Sequence, residues 1–138
     1  MSRGADENVR RFYFMTGFGG QTMVGALQRV MVCAPKEAGW TRPERVAEWK
    51  KLGYSHEPSF ALAQKQHETL RGELEAAGAE VITLPARDGL TLDAVYAHDP
   101  SLMTDWGAIC LRMGKPERNS ESAAHAAIYR ALGISVLG

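Results

Sequence analysis

The sequence predicts an α/β protein of repeated modules, and three observations carry that prediction. Short β-branched runs alternate with stretches whose apolar residues recur at helical spacing. The order strand, strand, helix, strand recurs loosely at about 60 residues, about twice. No strand leads into the glycine-rich phosphate loop of a dinucleotide fold. At 138 residues the chain is at most one domain, long enough to bury a core.

The elements follow in order. "RVMVCAP" (29–35) is β-branched and ends at a proline, which predicts a strand. Residues 36–57, "KEAGWTRPERVAEWKKLGYSHE", set Trp40, Trp49 and Tyr54 among charges and predict a long loop. Pro58 is expected to open a helix, where its missing N–H does no harm. Phe60, Ala63, His67, Leu70, Leu74 and Ala77 recur at three- and four-residue steps and predict its buried face. Gly78 ends that helix. "AEVITLP" (79–85) is the next strand, and "ARDGLT" a polar turn.

"DAVYAHDPSLMTD" is strand-like up to His98-Asp99-Pro100, Trp106-Gly107 predicts a turn, and "AICLRM" (108–113) another strand. "GKPERN" is loop. Asn119 or Ser120 is expected to cap a second helix, with Glu121 in its first turn. Ala123, Ala124, Ala127, Ile128, Ala131 and Leu132 predict its apolar face, and Gly133 its end. "ISVLG" then begins a strand with no sequel, which is either the last edge element of a small two-module domain or, the favoured expectation, a sign that the polypeptide is a piece of something longer.

Composition excludes several classes of partner. Sixteen basic residues balance sixteen acidic ones, which gives no electrostatic case for nucleic acid or an anionic membrane surface. No apolar run approaches the roughly 18 residues of a membrane span, and the mixed charges of "MSRGADENVRRF" without an apolar run predict no secretory signal there. Cys33 and Cys110 lie singly inside apolar, strand-like runs, which predicts buried thiols and a reducing, cytoplasmic compartment.

The candidate chemistry centres on "AHDP". Asp99 ends a predicted strand, with Pro100 biasing it towards extended backbone. Asp93 lies six residues earlier, an even separation that puts both carboxylates on one face of a regular strand. Arg118 lies across the following hairpin. Two acids and an arginine around one cleft suit a zwitterionic ligand with a cationic tail, because guanidinium and carboxylate pair as planar forks. His98, beside Asp99, is the one histidine near that cleft. His67 is expected in the core, His125 in solvent, and His56 before a helix it could cap. The four histidines lack the converging spacing of a zinc site, so no metal and no organic cofactor is assigned.

"TLDAVYAHDPSLMTDWGAICLRMGKPERNSE" resembles the substrate segment of guanidine-modifying enzymes of the pentein superfamily. The nearest branch is that of dimethylarginine dimethylaminohydrolase and amidinotransferase-like proteins. "GGQTMVGALQRVMVCAPKEAGW" and "GYSHEPSFALAQKQHETLRGELEAAGAEVITLP" resemble the same family's opening strand, loop and first helix. The likeness divides the chain into an extension over 1–18 and the N-terminal portion of a pentein-like domain over 19–138. It implies two modules of a ring of five ββαβ modules, hence an incomplete ring.

The resemblance further implies that Asp99 grips a substrate guanidinium and that Arg118 binds the substrate carboxylate. Asp93 would contact the polar head, and 36–57 would be a flexible lid. Where the hydrolases often carry a second acid before the "DP", this chain has His98, which leaves arginine-like or other guanidino compounds open. The family's thiolate nucleophile and proton-transferring histidine belong to its second half, so no catalytic residue is assigned here. The implied function is the substrate-binding half of a guanidino-group hydrolase or amidinotransferase. The alternative is a half-length, non-catalytic guanidino-binding or self-assembling protein. A companion polypeptide or a second copy is the expected partner.

Overall fold

The computed structural model describes residues 18, 19 and 22–138. The expected extension over 1–18 lies, Phe18 apart, outside the described residues. β1 (Arg29–Val32) pairs in parallel with β2 (Glu80–Thr83), in the register Arg29↔Glu80 to Val32↔Thr83. A parallel pair needs a long crossover, and it runs through the 36–57 segment, the single turn α1 (Pro43–Val46) and the helix α2 (Phe60–Ala76).

The caps of α2 are local chemistry. Ser59, not Pro58, is the N-cap, its side chain accepting from the Leu62 N–H at 3.3 Å. The proline therefore stands one residue ahead of the cap rather than inside the helix. At the other end Gly78 takes φ +90°, the Gly78 N–H reaches the Glu75 carbonyl and the Ala79 N–H the Leu74 carbonyl. That pair of bonds is a Schellman stop, and the left-handed backbone explains the glycine.

The expected buried face of α2 is a weaker feature than its periodicity suggests. None of its residues is buried; Leu70 is 52 % exposed, while Phe60 and Ala63 only lean on the core. The β1–β2 sheet it covers has only two strands among the described residues, too narrow to cover a whole helix face.

After β2 the expected strand from Asp93 is absent. Leu92–Val95 forms a 3-10 turn, in which Leu92, Asp93 and Ala94 are all buried. An alternating strand cannot bury three consecutive side chains on one face. β3 (Ser101–Thr104) and β4 (Gly107–Cys110) then form an antiparallel hairpin about a two-residue turn at Asp105-Trp106. Gly107 has φ +146°, and a Cβ there would run into the Ser135 carbonyl. A second 3-10 turn (Pro116–Arg118) leads into α3 (Asn119–Ala131). Val136 closes a parallel bridge to Ala108.

The main apolar cluster is built from Cys33, Ala38, Trp40, Leu52, Leu84, Leu90, Leu92, Ala94 and Ala124. Each fully buried leucine contributes about 1.5–3 kcal/mol of transfer free energy. The 36–57 segment, expected as a flexible lid, supplies Ala38, Trp40 and Leu52 to that cluster. It is docked further by Trp40 Nε1 donating to the Leu92 carbonyl at 3.1 Å.

Candidate functional site

Two ion pairs stitch the 92–99 segment to the loop that precedes α3. In the first, Lys115 Nζ donates to Asp93 Oδ2 at 2.8 Å and to the Leu52 carbonyl at 2.6 Å. Asp93 is buried while Lys115 is half-exposed, so the ammonium caps the carboxylate from the solvent side and ties down the 36–57 segment. The Tyr54 hydroxyl is also buried there, beside Asp93 and Tyr96. Burial, then the neighbouring Tyr96 and Asp93, push its pKa far above the ordinary tyrosine range.

In the second, Arg118 Nη1 donates to Asp99 Oδ2 at 2.7 Å. Arg118 is buried, whereas the Asp99 side chain is 47 % exposed and only one of its oxygens takes part. The rest of the guanidinium is held from inside. Nε donates to Glu121 Oε1 at 2.9 Å and Nη2 to Glu121 Oε2 at 2.7 Å, a bidentate fork in which Glu121 is 1 % exposed. Nη2 also reaches the Tyr96 carbonyl at 3.2 Å, and the Tyr96 ring lies 5.9 Å from the guanidinium carbon. The hydrogen bonds Arg118 donates to Glu121 first, and then to Asp99, hold it firmly protonated against its burial.

Behind this pair the buried face of α3 is polar. Glu121, His125 and Tyr129 follow at i, i+4 and i+8 and so share one side of the helix. Ser101 Oγ meets His125 Nδ1 at 3.0 Å and the Tyr129 hydroxyl at 2.7 Å, which anchors β3 two residues after Asp99. His125 is fully buried and its Nε2 has no partner. Burial, reinforced by the Arg118 charge, lowers its pKa to about 4, so it is neutral at neutral pH. The expectation of a solvated His125 is thus overturned, because Ser101 and Tyr129 give the ring polar company inside. Ala123, Ala131 and Leu132, expected on the apolar face, are exposed. The expected caps also fail. Arg118 occupies the N-cap position, and the Ser120 hydroxyl donates to the Gly89 carbonyl instead.

Of the four sequence-derived site residues, Asp99 and Arg118 are joined directly. Asp93 is bound to Lys115 instead of sharing a strand face with Asp99, because the 3-10 turn breaks the two-residue period. His98 is exposed on the turn beside Asp99. Lys115, Glu121, His125, Tyr129 and Ser101 were invisible to an apolar-periodicity reading. The four-residue spacing of Glu121, His125 and Tyr129 among alanines was the signal for a buried polar stripe.

Neither thiol is poised for nucleophilic attack. Burial, with Glu121 and Glu37 nearby, raises Cys33 to about 12. Burial also raises Cys110, partly offset by Arg130. His67, half-buried on α2, is lowered by burial. Among the described residues no three His, Cys, Asp or Glu side chains converge to hold a metal ion, and no helix is long and apolar enough to cross a membrane.

No family model matches the chain. It is 30% identical over 115 residues to the uncharacterized protein YkgA of Bacillus subtilis (strain 168), a match covering 83% of this chain and 39% of that protein. Its fold matches dimethylarginine dimethylaminohydrolase, solved as an adduct with 4-chloro-2-hydroxymethylpyridine, at a TM-score of 0.54 and 19% identity. It also matches the enzyme from Pseudomonas aeruginosa, solved as a cysteine-to-serine mutant complexed with citrulline, at a TM-score of 0.59 and 22% identity. Each structural match covers 81% of this chain and 41% of the other. The chain therefore has the α/β fold of part of that enzyme, and it spans about two-fifths of the length of the proteins it matches.

Proposed function

We propose that the chain is the substrate-binding, N-terminal half of a guanidino-group hydrolase or amidinotransferase, two modules of a pentein ring, acting on arginine-like compounds. The observation that carries this reading is the Asp99–Arg118 contact. A guanidinium already sits on the half-exposed Asp99 carboxylate, donated by the chain's own arginine. A zwitterionic ligand exchanges into that pair. Its guanidinium takes Asp99, and its carboxylate takes the Nη1 side of Arg118 that Asp99 vacates. His98 borders the incoming guanidinium, and Asp93 meets the polar head where Lys115 now stands. The match to a dimethylarginine dimethylaminohydrolase complexed with citrulline supports the substrate class.

The thiolate and imidazole of such chemistry come, in this reading, from a companion polypeptide segment, since Cys33 and Cys110 are held in the thiol form. The second reading, a non-catalytic guanidino-binding or self-assembling protein, has its own support. Leu102 faces Ile109 across the hairpin, and the Ala108↔Val136 bridge puts Leu137 next in the row. Leu102 is 56% and Leu137 53% exposed, so an apolar row faces outward and suits a companion segment or a second copy.

Calorimetric titration of the whole chain with L-arginine tests the function. Wild type is expected to bind, and Asp99→Asn to bind about tenfold or more weakly, the worth of one charge-assisted hydrogen bond. Equal affinity in the two proteins would remove Asp99 from the site.

A further inference from the structure

We infer that Glu121 is the positioning residue that keeps Arg118 aimed at a ligand carboxylate once Asp99 has been taken by the ligand's guanidinium. The inference rests on the guanidino-ligand reading above and adds a residue to it.

A guanidinium carries five N–H groups. In this chain Nε–H and one Nη2–H go to Glu121, the other Nη2–H to the Tyr96 carbonyl, and one Nη1–H to Asp99. One Nη1–H remains. Exchange with a ligand can therefore happen only at Nη1, the edge that meets the half-exposed Asp99. When Asp99 lets go, the other contacts decide where the guanidinium points.

Of those contacts, Glu121 supplies a planar two-bond fork, and the Tyr96 carbonyl a single longer bond. Glu121 is 1 % exposed and stands three residues after Arg118, in the first turn of α3. A solvent-borne carboxylate cannot reach or displace it. The helix therefore fixes Glu121, Glu121 fixes the guanidinium plane, and the plane presents Nη1 outward.

Replacing Glu121 by glutamine puts an NH2 group against guanidinium N–H groups, so one arm of the fork must break and the plane can pivot. A ligand carboxylate then loses its aim, whereas a guanidinium on Asp99 does not. Loss of the Glu121 charge alone would act the other way, because a less compensated Arg118 attracts a carboxylate more strongly. Positioning and charge thus predict opposite signs.

The test titrates the whole chain, wild type and Glu121→Gln, with L-arginine and with agmatine, which keeps the guanidinium and lacks the carboxylate. Wild type is expected to prefer arginine. In Glu121→Gln that preference is expected to fall about tenfold, with agmatine affinity changed by less than about twofold. If Glu121→Gln does not fold, Glu121→Asp carries the test. It keeps the charge, withdraws the fork by one methylene, and is expected to lower the preference by about threefold or more. Equal weakening of both ligands would make Glu121 merely structural and overturn the inference, with the guanidino reading intact. Tighter arginine binding would leave only the charge effect and overturn it too. A wild-type chain that binds neither ligand would sink the guanidino reading, and this inference with it.

Discussion

Helices α2 and α3 differ in a way that locates the site. α2 runs 17 residues with an apolar repeat that looks made for burial, yet none of its residues is fully buried. α3 runs 13 residues rich in alanine, yet it buries Glu121, His125 and Tyr129 beside Ala124 and Ala126. The first covers a two-stranded sheet and is left half in solvent. The second lies against the Asp99–Pro100–Ser101 turn, where Glu121 pairs with Arg118, and His125 Nδ1 and the Tyr129 hydroxyl pair with Ser101, while His125 Nε2 has no partner. An apolar stripe can be left partly wet at little cost. A polar stripe is buried only where partners are built for it, and that construction adjoins the residue proposed to hold a guanidinium.

The sharpest way to break the comparison is to remove a partner from α3's polar stripe. Arg118→Ala leaves Glu121 buried without a counter-charge and is expected to cost about 3–5 kcal/mol in denaturant unfolding. Leu70→Ala on α2, at a 52 % exposed position, is the control and is expected to stay within about 0.5 kcal/mol. Similar losses at both positions would erase the distinction between the helices.

A pH titration of stability sharpens it further. His125 is fully buried among Ser101, Tyr129 and the Arg118 charge, and its pKa is lowered from 6.5 to about 4. Between those values the unfolded chain binds a proton that the folded chain refuses, so stability rises with pH through that window. The contribution is fully present above pH 6.5 and is lost as pH falls towards 4, about 3 kcal/mol at most. His125→Gln is expected to flatten that part of the profile. An unchanged slope would mean that the ring is not held neutral.

Much of the fold was legible because local chemistry writes it. Gly78 ends α2 and Gly133 follows α3, both at positive φ. The N-cap of α2 fell one residue from the expected Pro58, and the hairpin turn, expected at Trp106-Gly107, is at Asp105-Trp106. β1, β2 and β4 lie within a few residues of their expected positions, since β-branched runs bounded by turns have few other uses. The 3-10 turn at Leu92–Val95 was not legible. Its sequence alternates well enough for a strand, and only the pull of the core on Leu92 and Ala94, with Trp40 bonded to the Leu92 carbonyl, decides against it. The site divides the same way. Asp99 and Arg118 were reached through position and resemblance, and the structure joins them. Glu121 and His125 escaped because hydropathy reads transfer free energy, and these side chains are buried by hydrogen bonds instead.

The Asp99–Arg118 pair is proposed to open to receive a guanidino ligand. A crystal structure of the whole chain with L-arginine bound tests it most directly. The ligand guanidinium is expected on Asp99 at about 2.8 Å and its carboxylate on Arg118 Nη1, with the Glu121 fork unchanged. A bound ligand elsewhere, with Asp99 still 2.7 Å from Arg118, would contradict it.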